Sequence, residues 1–100
     1  MTKWTLNGHM LNVLDEMVDV HSFRCGENAE RDSLCDGLCA EHLCVIVDDS
    51  DGEPAYFPTI AGEAVLSACI DNDVDFDDVM TVTVEFNDDS LEDAVVDALY

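Results

Sequence analysis

Between Leu6 and Val18 the apolar residues return at spacings of three and four: Leu6, Met10, Val13, Leu14, Met17 and Val18. Such spacing places one apolar stripe along a helix. Thr5 stands where a cap would, and Gly8 weakens the first turn. The polar stretch RCGENAERDS follows, where a loop and a short helix around Ala29 are expected. Ser33 is then the expected cap of a second helix, LCDGLCAEHL, with Leu34, Leu38 and Cys39 on one side and Gly37 as its weak point.

The pattern changes at Cys44. CVIV is a short β-branched run, DDSDGEP is turn chemistry centred on Asp51-Gly52, and AYFP is the return strand, limited by Pro58. Together they predict a β-hairpin. TIAGEAVLSACI predicts a helix capped by Thr59, with Ile60, Ala64, Val65, Ala68 and Cys69 for packing. An acidic connector, DNDVDFDD, leads to VMTVTVEF. There Met80, Val82, Val84 and Phe86 alternate with Thr81, Thr83 and Glu85, the strongest strand signal in the chain. SLEDAVVDALY predicts a last helix, capped by Ser90 with Asp93 three residues on, its stripe being Leu91, Val95, Ala98 and Leu99. The expected class is α+β, one acidic domain over residues 1–100: helices and a hairpin over 5–70, then the connector, a strand and a C-terminal helix over 71–100.

Charge changes this picture more than any motif. The chain carries 24 acidic residues against three cations, Lys3, Arg24 and Arg31, for a formal net charge of −21, yet 48% of its residues are hydrophobic. Disordered acidic tails are poor in apolar residues, so this chain is expected to fold. Three scattered cations cannot form the basic footprint of a nucleic-acid binder, and an anionic membrane surface repels the chain. A basic protein surface or a cation is the natural partner. MTKWTLNGHM has no long apolar signal segment, and no run approaches the ~20 apolar residues of a membrane helix. A cytoplasmic location is expected, with the five cysteines reduced.

YFPTIAGEAVL, after two helices and a hairpin, resembles the small winged-helix domains, in which a strand closes on an aromatic residue, then a threonine, and a glycine opens the next helix. Tyr56, Thr59 and Gly62 stand at those places. The resemblance implies a winged-helix-like frame whose recognition helix and wing meet phosphate through cations. Those places here hold Asp36, Glu41, Asp48, Asp49, Asp51 and Glu53, so ordinary operator binding is not expected. By charge the chain resembles phage-encoded DNA mimics of the anti-CRISPR and anti-restriction kind, which occupy nucleic-acid channels. That resemblance implies an inhibitor acting in the host cytoplasm, not an enzyme, with a basic nucleic-acid-binding protein or complex as partner and no cofactor. B-DNA carries one charge per about 1.7 Å of axis, so some 20 charges match roughly 34 Å of duplex. A compact 100-residue domain, with a radius of gyration near ~13 Å, has about that diameter.

The acids expected to carry such binding are Asp48, Asp49, Asp51 and Glu53 at the wing. With them go Asp71, Asp73, Asp75, Asp77 and Asp78 in the connector, and Asp88, Asp89, Glu92 and Asp93 near the last helix. Two metal readings compete. Asp71, Asp73 and Asp75 fit the first positions of a calcium loop, but Phe76 and Val82 replace its glycine and its bidentate glutamate. Cys25, Cys35, Cys39 and Cys44, with His21 and His42 nearby, offer zinc ligands without the usual CxxC knuckle, and core packing is the better reading of these thiols. No nucleophile motif or phosphate loop supports catalysis. Trp4 and Tyr100 are expected to be exposed. The alternative to an inhibitor is a halophile's protein–protein adaptor on the same winged-helix-like frame, its acidity being solvent adaptation.

Self-repulsion at this net charge opposes the compact state and is screened by salt over a Debye length of about 8 Å at physiological ionic strength. The melting temperature is therefore expected to rise with KCl; a thermal scan from low to high salt that stays flat would contradict this.

Overall fold

The computed structural model describes residues 2–86 and 94–100. Among these the chain runs β1 (Thr2–Leu6), α1 (Gly8–Val20), β2 (Phe23–Arg24), α2 (Ala29–Ala40), β3 (Cys44–Asp48), β4 (Pro54–Pro58), α3 (Ile60–Asp71), β5 (Thr81–Phe86) and β6 (Ala94–Leu99). The class is α+β with two antiparallel sheets, one ordered β1-β5-β6 and the other β2-β4-β3. The radius of gyration is 13.2 Å and the principal extents are 38 × 29 × 20 Å.

The expected hairpin, the third helix and the strand after the connector all form. Thr59 caps α3, its Oγ1 accepting from the Gly62 amide at 3.0 Å. Val82, Val84 and Phe86 point into the core, whereas Met80, expected beside them, precedes β5 and is exposed.

The two ends of the chain differ from expectation. Residues 2–6 form a strand, not the start of α1. Trp4 and Leu6 face inward while Lys3 and Thr5 face out, a period of two that pairs with β5 through Trp4↔Val84 and Leu6↔Val82. Asn7, not Thr5, caps α1, its side chain accepting from the Met10 amide at 2.8 Å. Trp4 is therefore buried, 7% exposed, and meets Phe86 edge-on with ring centroids 5.8 Å apart. The expected C-terminal helix is a strand. Ala94, Val96 and Ala98 alternate with exposed Val95, Asp97 and Leu99, and β5 supplies a ladder from Phe86↔Ala94 to Thr81↔Leu99. Tertiary pairing overrides the helical reading of the same residues. The expected cap, Ser90 with Asp93, lies outside the described residues.

The second helix starts earlier than its apolar residues suggest. Asn28 caps it, accepting from the Arg31 amide at 3.0 Å, with Glu30 and Asp32 in the first turn favouring the helix dipole; Ser33 lies inside. Residues 21–28 and β2 separate α1 from α2, so these helices are not joined by the ~3–4-residue turn of a helix-turn-helix.

The α2–β3 junction binds the parts together. α2 ends in a Schellman motif: the Leu43 amide donates to the Leu38 carbonyl at 2.9 Å and the His42 amide to the Cys39 carbonyl at 3.0 Å, with His42 at φ 63°. Leu38 and Leu43 are both fully buried, the apolar pair that accompanies this motif. The next carbonyls then serve other elements. Trp4 Nε1 donates to the Glu41 carbonyl at 2.8 Å. Thr59 Oγ1 donates to the His42 carbonyl at 2.8 Å, and the Thr59 amide to the Leu43 carbonyl at 3.1 Å. Gly62 is needed because a Cβ there would collide with the Leu43 carbonyl oxygen. Gly8, read from sequence as a weak point, is required for the same reason: a Cβ would strike the carbonyls of Phe76 and Val79.

Gly62→Ala is expected to destabilise the fold by about 1–3 kcal/mol through overpacking. His42→Gly is expected to stabilise it by up to about 1 kcal/mol by relieving the left-handed backbone. Urea denaturation of both variants checks the pair, and equal midpoints would contradict the junction described.

Candidate functional site

DNDVDFDD is a built element rather than a slack connector. The Val74 amide donates to the Cys69 carbonyl at 3.1 Å and the Asp73 amide to the Ile70 carbonyl at 3.1 Å, with Asp73 at φ 56°, so α3 also ends in a Schellman motif. Val74 and Phe76 are half-buried and pack against the core, while Asp71, Asp73, Asp75, Asp77 and Asp78 are exposed. A turn follows, the Val79 amide donating to the Asp75 carbonyl at 2.8 Å and Asp75 Oδ1 accepting from the Asp77 amide at 3.1 Å. The Asp75 amide donates to Tyr100 Oη at 3.1 Å, and Tyr100 is exposed as expected.

This acidic element rests on the N-terminal half of α1. Asn12 Nδ2 donates to Asp77 Oδ1 at 3.3 Å and to the Phe76 carbonyl at 3.4 Å. From Asn12 the outer ridge of α1 continues through Asp15 and Glu16 to Asp19, all exposed, with Asp15 and Glu16 each three or four residues from both Asn12 and Asp19. Asn12 thus joins the connector to the helix that carries the exposed acids Asp15, Glu16 and Asp19. The ridge was absent from the sequence-predicted site, although its signal was present as acids at helical spacing opposite the apolar stripe. Glu16 also lines an open groove between α1 and α2 with His9, Val13, Glu30, Arg31 and Leu34.

The wing acids are in a different state. Asp49 Oδ1 accepts from the Asp51 amide at 2.8 Å and the Glu53 amide at 3.1 Å, which shapes the turn. Arg24 Nε lies 3.4 Å from Asp49 Oδ2, and its Nη2 lies 2.9 Å from Asp51 Oδ2. Two of the four predicted wing acids are therefore engaged in building the turn, leaving Asp48 and Glu53 exposed without a side-chain partner among the described residues. Asp88, Asp89, Glu92 and Asp93 lie outside the described residues. Arg31 lies 4.1 Å over the Phe23 ring and 3.5 Å from Glu27, and Lys3 stands opposite Glu85 on the outer face of its sheet. No acidic side chain is buried among the described residues.

Titration reflects the two environments. Backbone amides of Glu53 and then Asp51, with the Arg24 guanidinium, hold the Asp49 carboxyl below its usual range. The Asp78 carboxyl is held above it, first by the charge of Asp75, then by a hydrogen bond to Asp75 and the charge of Asp77. Tyr56 is buried, donates to Asp36 Oδ1 at 2.7 Å, and is pushed up by burial and that carboxylate. Burial pushes the Cys35 thiol up to about 12 and Cys69 to about 11.

Among the described residues no three His, Cys, Asp or Glu side chains converge to hold a metal ion, and no helix is long and apolar enough to cross a membrane. Compared with known proteins, the chain matches no family model, no curated protein and no solved structure.

The two carboxyl shifts have opposite consequences. Asp49, with its folded pKa lowered, contributes stability above its unfolded pKa and loses it as pH falls through the folded value. Asp78, with its folded pKa raised, favours the folded state while protonated and loses that contribution as pH rises through the folded value. Asp49→Asn is expected to lower the melting temperature at pH 7, and Asp78→Asn to raise it. Both differences should shrink below the carboxylate range, and shifts of the reverse sign would contradict these assignments.

Proposed function

We propose that this protein is an acidic DNA-mimic inhibitor of the anti-CRISPR or anti-restriction type. On this reading it occupies a basic nucleic-acid-binding surface and blocks it, acting in the cytoplasm of a host cell. The observation that carries this reading is the strip formed by the connector and the α1 ridge. Its carboxylates are exposed, and within the connector the charges of Asp75 and Asp77 raise the Asp78 pKa. Such a surface presents negative charge without the bases of a nucleic acid. Carboxylates replace phosphates opposite Lys and Arg, and long-range attraction raises the association rate. The scale agrees: the longest extent, 38 Å, is close to the roughly 34 Å of duplex that carries some 20 charges. The frame is winged-helix-like in the succession α2, β3–β4 hairpin and α3, with Tyr56, Thr59 and Gly62 at the strand-to-helix step. The wing contributes through Asp48 and Glu53, while Asp49 and Asp51 shape it.

One observation favours the second reading, an adaptor in a halophile's cytosol. β3 is an outer strand of its sheet, and Val45, Ile46 and Val47 are 38%, 50% and 45% exposed. An open apolar edge accepts an extended segment of another protein. Stability separates the readings, because a halophile's domain unfolds in low salt and an inhibitor from a low-salt host does not.

The direct test is capture from a host lysate on the immobilised protein, eluted with a KCl gradient, with and without excess duplex DNA. A nucleic-acid-binding protein that elutes at moderate KCl and is displaced by duplex is expected. Replacing Asp73, Asp75, Asp77 and Asp78 together by Asn is expected to weaken its retention about tenfold or more, since each lost charge removes a phosphate-like contact. Retention unchanged by that replacement, or indifferent to duplex, would contradict the proposal.

A further inference from the structure

Two of the five cysteines meet. Cys39, in the last turn of α2, and Cys44, the first residue of β3, bring their Sγ atoms to 3.2 Å. Cys44 Sγ also donates to the Cys35 carbonyl at 3.3 Å. The two thiols stand on either side of the junction at residues 41–43, where Trp4 and Thr59 dock. Their backbones are held by that junction: the amide of His42 is bonded to Cys39, and Cys44 is paired with Pro58 across the hairpin. A disulfide has its sulfurs about 2.05 Å apart, so closing this pair needs an approach of about an ångström, within the reach of small χ rotations. All five thiols are free.

We propose that Cys39 and Cys44 are a redox pair that closes into a reversible disulfide across the α2–β3 junction. The two sulfurs differ in access, which sets the order of events. Cys39 is half-buried and reachable, whereas Cys44 is buried, and burial followed by its hydrogen bond to Cys39 keeps its thiol protonated. Cys39 enters first. Its thiolate attacks one sulfur of a low-molecular-weight disulfide such as glutathione disulfide, breaking that S–S bond. One glutathione leaves as thiolate and takes up the proton Cys39 gave to solvent. Cys44 then attacks Cys39 Sγ, forming the internal bond and expelling the second glutathione as thiolate, which takes up the proton that Cys44 gives up. The protein loses two hydrogens, and one glutathione disulfide becomes two glutathione thiols. A dithiol reductant reverses both steps. Cys25, Cys35 and Cys69 take no part. Cys35 and Cys69 are fully buried, and no second sulfur pair is in contact among the described residues.

The test treats the native, folded chain with glutathione disulfide, traps remaining thiols with an alkylating agent and digests with a protease that cleaves after glutamate. Glu41 lies between the two cysteines, so cleavage there separates their peptides unless a disulfide joins them. The expected result is a fall from five free thiols to three, one linked peptide pair containing Cys39 and Cys44, and a higher melting temperature that dithiothreitol reverses. Cys39→Ser is expected to keep four thiols free after the same treatment, with no linked pair; because its side chain is half-exposed, it decides the matter even if Cys44→Ser does not fold. Five thiols surviving, a stable glutathione adduct on Cys39 alone, or a linkage through any other cysteine would overturn the proposal.

Discussion

Three consecutive carbonyls, those of Glu41, His42 and Leu43, hold this fold together. They follow a Schellman stop in which His42 takes a left-handed conformation that a glycine would adopt at less cost. That turn aims the carbonyls away from α2, so that Glu41 receives the indole of β1 while His42 and Leu43 receive the cap of α3. β1, β3 and α3 thus meet at one short segment. Gly62 lets α3 approach closely enough to close it. The segment also lies between the two members of a cysteine pair, which places any covalent change where β1 and the cap of α3 dock.

The net charge of −21 constrains everything outside that centre. The core is apolar and thiol-rich, and no acid enters it among the described residues. Water, rather than counter-charges, solvates most of the carboxylates. The arginines are placed where local order needs them: Arg24 ties the acidic hairpin turn, and Arg31 stacks on Phe23 beside Glu27. Elsewhere among the described residues most acids have no cation beside them, and in the connector they crowd. That element tolerates the crowding because Val74 and Phe76 anchor it and Gly8 admits its carbonyls against α1.

Legibility from the sequence followed the locality of the forces. The hairpin, α3 with its Thr59 cap, and β5 were readable because turn chemistry, a cap and strict alternation are all local. Segments that satisfy two periods at once were not. Leu6 and Met10 fit a helix, yet Trp4 and Leu6 also alternate; AVVDAL fits a helix stripe and a strand equally. For these, partners distant in sequence decide, and β5 decides for both. Burial of Trp4 follows from the same pairing. The candidate site divided likewise. The connector acids were conspicuous as a run, but Asp15, Glu16 and Asp19 were seen only as the polar side of a helix, and their junction with Asp77 through Asn12 needs three dimensions. That Asp49 and Asp51 would both be tied by an arginine was also invisible, since it depends on Arg24 arriving from β2.

The central claim is that connector and α1 ridge act as one polyanionic surface. The most direct measurement is an NMR titration of the protein with a short oligolysine, following the amide and carboxyl signals at low salt. The account predicts that Asp15, Glu16 and Asp19 shift together with Asp73, Asp75, Asp77 and Asp78, at a common apparent affinity that collapses in high salt, while the Asp49 and Asp51 signals lag behind. Shifts spread evenly over all exposed acids, or strongest at the hairpin turn, would contradict it.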